Sequence, residues 1–310
     1  MKKKFAYLLF LIATVIWGLA FIAQKAATVI PPFTVGMIRS LLATLFLLAV
    51  IPLTDKLTKN QRRLINKKTL IDINRRELIG GLVLGVIITV ATAFQQFGLG
   101  EGTDAGKAAF ITALYVVIVP IMSTFLGKKP STTSVISIPI AILGFFLLCI
   151  KPDSRIELSD LLVLVCALIF AMHIISVDRL SPGCDGVRMS LVQFASATIF
   201  NAIPALVFER EVAMADLLSS LPSLLFLGIC SSGIAYTLQI VGQKEADPTV
   251  SSMILSMESV FGVIGAAIIL EEQMTPREYI GSAVVLMAVL LAQVEPSYIK
   301  KLIKAKRGKK

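Results

Sequence analysis

Apolar residues in this chain run in long unbroken blocks, with neither the spaced stripe of an amphipathic helix nor the alternation of a half-buried strand. Ten blocks stand out, over 5–24, 33–52, 78–98, 104–126, 132–150, 159–179, 187–208, 220–241, 249–270 and 276–294. Each is close to the ~20 helical residues that cross a hydrocarbon core of ~30 Å. Barrel strands would alternate over segments of ~10 residues, and no such segments occur. The pattern predicts an all-α integral membrane protein with ten transmembrane helices. Prolines mark the short connections, at Pro31-Pro32, Pro130, Pro152, Pro182, Pro248 and Pro276. Only the connection 53–77 is long. It is basic and carries Leu57, Leu64, Ile65, Leu70, Ile71 and Ile73, which predicts that it lies on the anionic inner leaflet.

Composition sharpens this picture. Of 310 residues, 56% are hydrophobic and 16% charged, whereas soluble domains are nearer half and a quarter. The blocks use up most of the chain, so no separate soluble domain is expected. A net charge of +10 in a soluble protein would point to nucleic acid. Here the basic residues flank apolar spans, which is the mark of membrane orientation, and no nucleic-acid partner is expected. With the N-terminus inside and basic residues at block ends counted with the adjoining connections, 23 Lys and Arg fall in cytoplasmic segments and six in external ones, with Arg39 alone well inside a span. Basic loops resist translocation, so both termini are predicted to be cytoplasmic and the protein to sit in the cytoplasmic membrane among lipids. The start, Lys2-Lys3-Lys4 followed by apolar residues to Ala23, is longer than a signal peptide's apolar region of ~7–15 residues and reads as the first helix. Cys149, Cys166, Cys184 and Cys230 show no CxxC spacing and read as small apolar fillers.

The chain also repeats itself. Ala43-Thr44-Leu45-Phe46 corresponds to Ala197-Thr198-Ile199-Phe200 at an offset of 154, and Val15-Ile16-Trp17-Gly18 to Leu168-Ile169-Phe170-Ala171 at 153. Gln95 corresponds to Gln239, and Gly127-Lys128-Lys129-Pro130-Ser131 to Glu271-Glu272-Gln273-Met274-Thr275, both at 144. The predicted units are 1–152, 153–297 and a basic tail 298–310. Five spans per copy is an odd number, so the second copy enters from the opposite side. Two inverted five-helix repeats enclosing a midplane site form the architecture of secondary transporters.

These features resemble the EamA-type permeases of the drug/metabolite transporter superfamily. The resemblance covers nearly the whole chain. It rests on Trp17-Gly18, on Arg39, on the run Ala108 to Tyr115 with Pro120, and on Leu270 to Thr275. Such permeases usually carry Gly-Glu after the fourth and ninth spans, whereas this chain has Gly127-Lys128 and Glu271-Glu272. The resemblance implies transport of amino acids, nucleosides, drugs or other metabolites, more often export than uptake, and names no single solute.

Ionisable residues within spans are costly and mark function. Glu258 lies near the middle of the ninth span among Ser251, Ser252, Ser256 and Ser259, a placement suited to proton or cation coupling. Arg39 could pair with Glu258 or hold an anionic group of the solute, or else only snorkel outward. His173, the sole histidine, could relay protons. Trp17, Gln24, Gln95, Gln96, Thr112, Tyr115, Tyr236 and Gln239 are cavity candidates, because aromatic faces and amides orient zwitterionic or aromatic solutes. For each of these the alternative role is hydrogen bonding between helices. Gly81, Gly85, Gly262, Gly265 and Ala266 suit close helix packing. Residues 101–108 have a superficial likeness to a P-loop but lack its first glycine and its terminal Ser or Thr. One histidine and no nucleophile elbow leave enzyme chemistry, metals and cofactors without support. The reading is a permease for a small organic solute. A channel or lipid scramblase, and a multi-pass enzyme, are the alternatives.

Overall fold

The structure, a computed structural model, describes residues 3–58, 72–127, 132–149, 157–209, 211–246 and 248–293. Most of the basic connection 53–77 and the whole tail 298–310 lie outside these residues. The described chain is helical throughout. Its elements are α1 (Lys3–Ala26), α2 (Pro32–Thr58), α3 (Arg75–Gly100), α4 (Ala105–Thr112), α5 (Tyr115–Phe125), α6 (Thr132–Cys149), α7 (Leu158–Leu180) and α8 (Gly186–Phe208). They continue with α9 (Met214–Ser219), α10 (Leu221–Leu225), a π-helical segment Phe226–Ala235, α11 (Tyr236–Gln243), α12 (Pro248–Leu255), α13 (Glu258–Ile269) and α14 (Pro276–Gln293).

Apolar runs fold this way because hydrocarbon offers the backbone no partner, so each segment must satisfy its own N–H and C=O groups. Among the described residues seven helices are long and apolar enough to cross a membrane, counting Ala105–Phe125 and Leu221–Gln243 each as one. Val135–Gly144 and Glu258–Ile269 are shorter apolar helices. Polar signals place the ends. Asn74 begins α3 with a capping box: its Oδ1 accepts from Glu77 N at 2.9 Å, and Glu77 Oε2 accepts from Asn74 N at 3.0 Å. Asp185 opens α8 by accepting from Val187 N at 3.0 Å. Such caps contribute ~1 kcal/mol each.

The distribution of polarity is that of a protein solvated by lipid. Leu8, Leu11, Ile12 and Val15 of α1, Leu82 and Val86 of α3, and Ile199, Ile203 and Leu206 of α8 are exposed. Gln24, Arg39, Gln95, Gln96, His173, Gln193, Gln239 and Glu258 are buried.

Helix α2 packs along α8, and the two are clasped at both ends. Near the start of α2, the backbone N–H groups of Phe33 and Thr34 donate to Glu209 beyond the end of α8, at 3.0 and 2.7 Å. Near the end of α2, Asp55 accepts both guanidinium arms of Arg188 at the start of α8, at 2.9 and 2.5 Å. Start meets end twice, so the pair is antiparallel. The two clasps also occupy repeat-related positions, a carboxylate at each: Thr34 and Arg188, and Asp55 and Glu209, are each 154 apart, the offset already seen between these two helices.

Helix α3 lies between α7 and α8. A Cβ on Gly81 would fall within 2.9 Å of Met189 O, and one on Gly98 within 2.8 Å of Ser159 O, so the expected close packing at Gly81 is observed. Gly18 of α1 meets α13 in the same way, with a virtual Cβ within 2.9 Å of Gly262 N. Only glycine lets these backbones approach so closely. Helix α6 pairs with α14, where the Arg277 guanidinium sits 5.7 Å over the Phe146 ring. Cys166, Cys184 and Cys230 are free, and the Cys149 side chain lies outside the described residues.

Candidate functional site

Two of the predicted apolar blocks are broken in the middle. The α4–α5 segment is interrupted at Ala113–Leu114 and the α12–α13 segment at Ser256–Met257, positions one residue from a 144 offset. At each break the chain tightens: Val117 N reaches Leu114 O at 2.9 Å and Ser259 N reaches Ser256 O at 3.1 Å. The breaks set Tyr115 at the first position of α5 and Glu258 at the first position of α13. A helix N-terminus presents unsatisfied N–H groups and a positive dipole end, which suits a carboxylate. Discontinuous helices are the usual way to build a polar site inside a membrane protein.

Between the breaks lies a cavity of about 30 Å³, room for one or two waters. Helix α1 lines it with Trp17, Ala20, Phe21 and Gln24, α2 with Arg39, and α3 with Gln95. Thr112 and Tyr115 face it from the α4–α5 break, and Phe170, His173 and Ile174 from α7. Ser231, Tyr236 and Gln239 complete it with Leu255 and Glu258. Every polar candidate singled out in the sequence except Gln96 therefore meets the others around one space. The Gln96 side chain turns to α1 and donates to Gln24 O at 3.1 Å, the interhelical role that is its alternative reading.

Arg39 is buried and does not snorkel. Its Nε donates to Ser232 Oγ at 3.1 Å, one arm to Ser231 Oγ at 3.1 Å and the other to Gln24 Oε1 at 3.4 Å. Every one of these acceptors is neutral. The expected pairing with Glu258 is not formed. The π-helical segment is what supplies both serines: its wider turn presents consecutive hydroxyls to one guanidinium, and π-segments recur at functional sites. Ser231 O also accepts from Trp17 Nε1 at 3.3 Å.

Opposite, the rings gather on Tyr236. Trp17 lies 4.6 Å away centroid to centroid, His173 5.8 Å and Phe194 5.7 Å. His173 Nε2 is 3.2 Å from Gln193 Oε1, and Gln193 is the residue repeat-related to Arg39. Gln95 Nε2 donates to Thr112 Oγ1 at 3.2 Å, tying α3 to α4. His173 Nδ1 and Gln239 Oε1 are buried without a partner, so the cavity keeps polar capacity in reserve. Among the described residues no cluster of His, Cys, Asp or Glu could hold a metal.

Beyond the cavity, at the end of the helices where α1 finishes and α2 begins, polar ties join the two copies. Lys107 Nζ and Asp160 Oδ2 form a buried ion pair at 2.6 Å, and Thr103 Oγ1 donates to the other Asp160 oxygen at 3.1 Å. Lys25 Nζ donates to Leu99 O and Thr103 O at 3.1 and 2.9 Å. Glu272 accepts from Ala105 N and Gly106 N at 2.9 and 3.0 Å, capping α4 from across the molecule.

Compared with models of known families, the sequence matches the EamA-like transporter family twice, over residues 4–150 and 157–293. The chain belongs to the EamA-like transporter family. An uncharacterized transporter of Archaeoglobus fulgidus is 26% identical over 298 residues, which span 94% of this chain and 87% of that protein. A solved crystal structure superposes with a TM-score of 0.66 at 17% identity, covering 93% of this chain and 96% of its own; likeness at that identity speaks to the fold. As an EamA-like transporter the protein is a multi-pass membrane protein that carries small-molecule solutes. Its departure from the family's Gly-Glu pairs now has a physical account in the second copy. Glu272 is the capping carboxylate. Glu271 takes the left-handed backbone that a glycine would hold, with φ 54°, while Gly127 in the first copy has φ 82°.

Proposed function

We propose that this protein is a secondary carrier that moves a small zwitterionic metabolite, such as an amino acid, out of the cell by alternating access. In this reading α4–α5, α10–α11 and α12–α13 are each one interrupted crossing, which gives ten, and the two five-helix copies are inverted about an axis in the membrane plane. The α2–α8 clasps, repeated at opposite ends with their roles exchanged, support that symmetry. The basic-residue count supports cytoplasmic termini, and in that orientation the end that holds Lys107 and Asp160 faces outward.

One observation carries the solute class. A single cavity holds a buried cation, Arg39, and a buried carboxylate, Glu258, and among the described residues neither is ion-paired. Unpaired charges are expensive to bury, and a solute bearing both signs would relieve each. Its carboxylate would take the planar guanidinium fork. Its ammonium would lie toward Glu258 and over the Trp17–Tyr236 rings, which favour cations. In the absence of solute Glu258 can accept a proton or cation instead, which supplies coupling. The cavity is too small for the solute as it stands, so loading requires the repeats to part.

Counterflow in proteoliposomes tests this, after a thermal-stabilisation screen of amino acids has chosen the labelled solute. A carrier exchanges internal for external solute, whereas a channel or scramblase does not. Glu258→Gln is expected to fold and to lose gradient-driven transport. Wild-type rates in that variant remove Glu258 from the mechanism.

A further inference from the structure

The two ends of the molecule are not equivalent, although the repeat would make them so. At the outward end, Lys107 of α4 and Asp160 of α7 form an ion pair with side-chain exposures of 7% and 0%. The pair joins one copy to the other. Applying the offsets 144 and 153 places Ser251 and Tyr7 at the counterpart positions, and these cannot form an ion pair. Glu272 caps α4 at the same outward end, whereas its counterpart in sequence is Lys128, which has no acceptor to offer.

Packing repeats the asymmetry independently. Helix α1 closes on α13 through Gly18, Gly262 and Gly265; a Cβ on Gly265 would fall within 2.7 Å of Ile22 Cδ1. The counterparts are Ala171, Ile118 and Ile121. At this place in the first copy an apolar cavity of about 350 Å³ is lined by Ile118 and Ile121 of α5, by α6, and by Leu164 of α7. The close backbone approach that glycines permit in one copy is not open to the bulkier side chains at the counterpart positions.

We propose that Lys107–Asp160 is the outward gate, and that it biases the resting carrier to a state closed to the outside and loaded from the cytoplasm. The inference rests on the inverted-repeat carrier reading above. The α2–α8 clasps do not share this role, because they are closed at both ends at once and cannot distinguish two access states. Removing both gate charges would leave the outward end held by Lys25 and Glu272 on backbone groups, without this ion pair between the copies, and freer to sample opening.

The test reads access, not transport. Ala20, which is 3% exposed and lines the cavity, is replaced by cysteine as the only thiol in the chain. Vesicles of each orientation are treated with a membrane-impermeant methanethiosulfonate. With the native gate, modification is expected from the cytoplasmic side and about tenfold more slowly from outside. Lys107→Met with Asp160→Leu replaces the pair by apolar groups of similar size, a change buried pairs tolerate. It should raise the outside rate about tenfold, one decade in an equilibrium constant. Lys107→Asp with Asp160→Lys should restore the slow rate. An outside rate unaffected by the double apolar variant overturns the gate, as does equal access from both sides with the native pair. If Glu258→Gln abolishes transport while labelling ignores the pair, the gate fails and the carrier reading stands. If labelling follows the pair while Glu258→Gln transports normally, the coupling role fails and the gate stands.

Discussion

Replacing Arg39 by methionine should remove solute binding while leaving the fold nearly as stable as before. The guanidinium makes two good hydrogen bonds to neutral hydroxyls, both at 3.1 Å, and a third at 3.4 Å near the geometric limit. Two such charge-to-neutral bonds contribute roughly 3–6 kcal/mol. Burying the cation costs several kcal/mol in the other direction. The terms nearly cancel, and methionine has a similar length. Ser231 and Ser232 can turn their hydroxyls to backbone carbonyls one turn back, as Thr14 does onto Phe10 O at 2.6 Å. The expected change in folding free energy is within about 2 kcal/mol. A solute carboxylate held by this guanidinium loses much more, about 2–5 kcal/mol, or roughly 30-fold to several thousandfold in affinity. The assay pairs thermal unfolding of the detergent-solubilised protein with counterflow of the labelled solute. Asp160→Asn sets the scale for a structural charge, since breaking a buried pair costs about 3–5 kcal/mol. If Arg39→Met melts the protein as Asp160→Asn does, and the surviving fraction transports normally, then Arg39 is structural and the solute site lies elsewhere.

Two further outcomes follow from backbone geometry. Gly18→Ala places a methyl within 2.9 Å of Gly262 N and 3.0 Å of Glu258 O. Thermal unfolding should show a loss of about 1–3 kcal/mol, whereas Gly100→Ala, with nothing within 4 Å, should be neutral or slightly stabilising. Glu271→Gly relieves a left-handed residue at φ 54° and should raise stability by about 1 kcal/mol in the same measurement.

Hydropathy makes seven long apolar helices legible among the described residues, because lipid imposes one simple requirement and these blocks meet it. The candidates Trp17, Tyr236 and Glu258 are legible for the converse reason: a polar or amphipathic side chain deep in such a block needs an explanation. Ser231 and Ser232 are not. A serine in a span is cheap, and nothing in the sequence announces the π-helical register that turns both hydroxyls toward Arg39. That register is supported by contacts with α2, where a Cβ on Gly228 would fall within 3.1 Å of Arg39 O. Lys107 reads as a loop cation, yet it lies buried in α4, because its partner Asp160 is 53 residues away. Gln95 and Gln96 cannot be told apart by composition, since adjacent residues on a helix point about 100° apart and only the neighbouring helices decide which side is wet.

The clasps at the two ends of α2 and α8 have a mechanical consequence. With Glu209 on Phe33 and Thr34 at one end and Asp55 on Arg188 at the other, these helices can neither slide past nor tilt from each other without breaking charge-assisted bonds. In the proposed carrier they would form a keel spanning the bilayer, around which the remaining helices swing. Spin labels on that keel would keep a constant separation throughout turnover, giving a fixed ruler against which the stroke of every other helix can be measured.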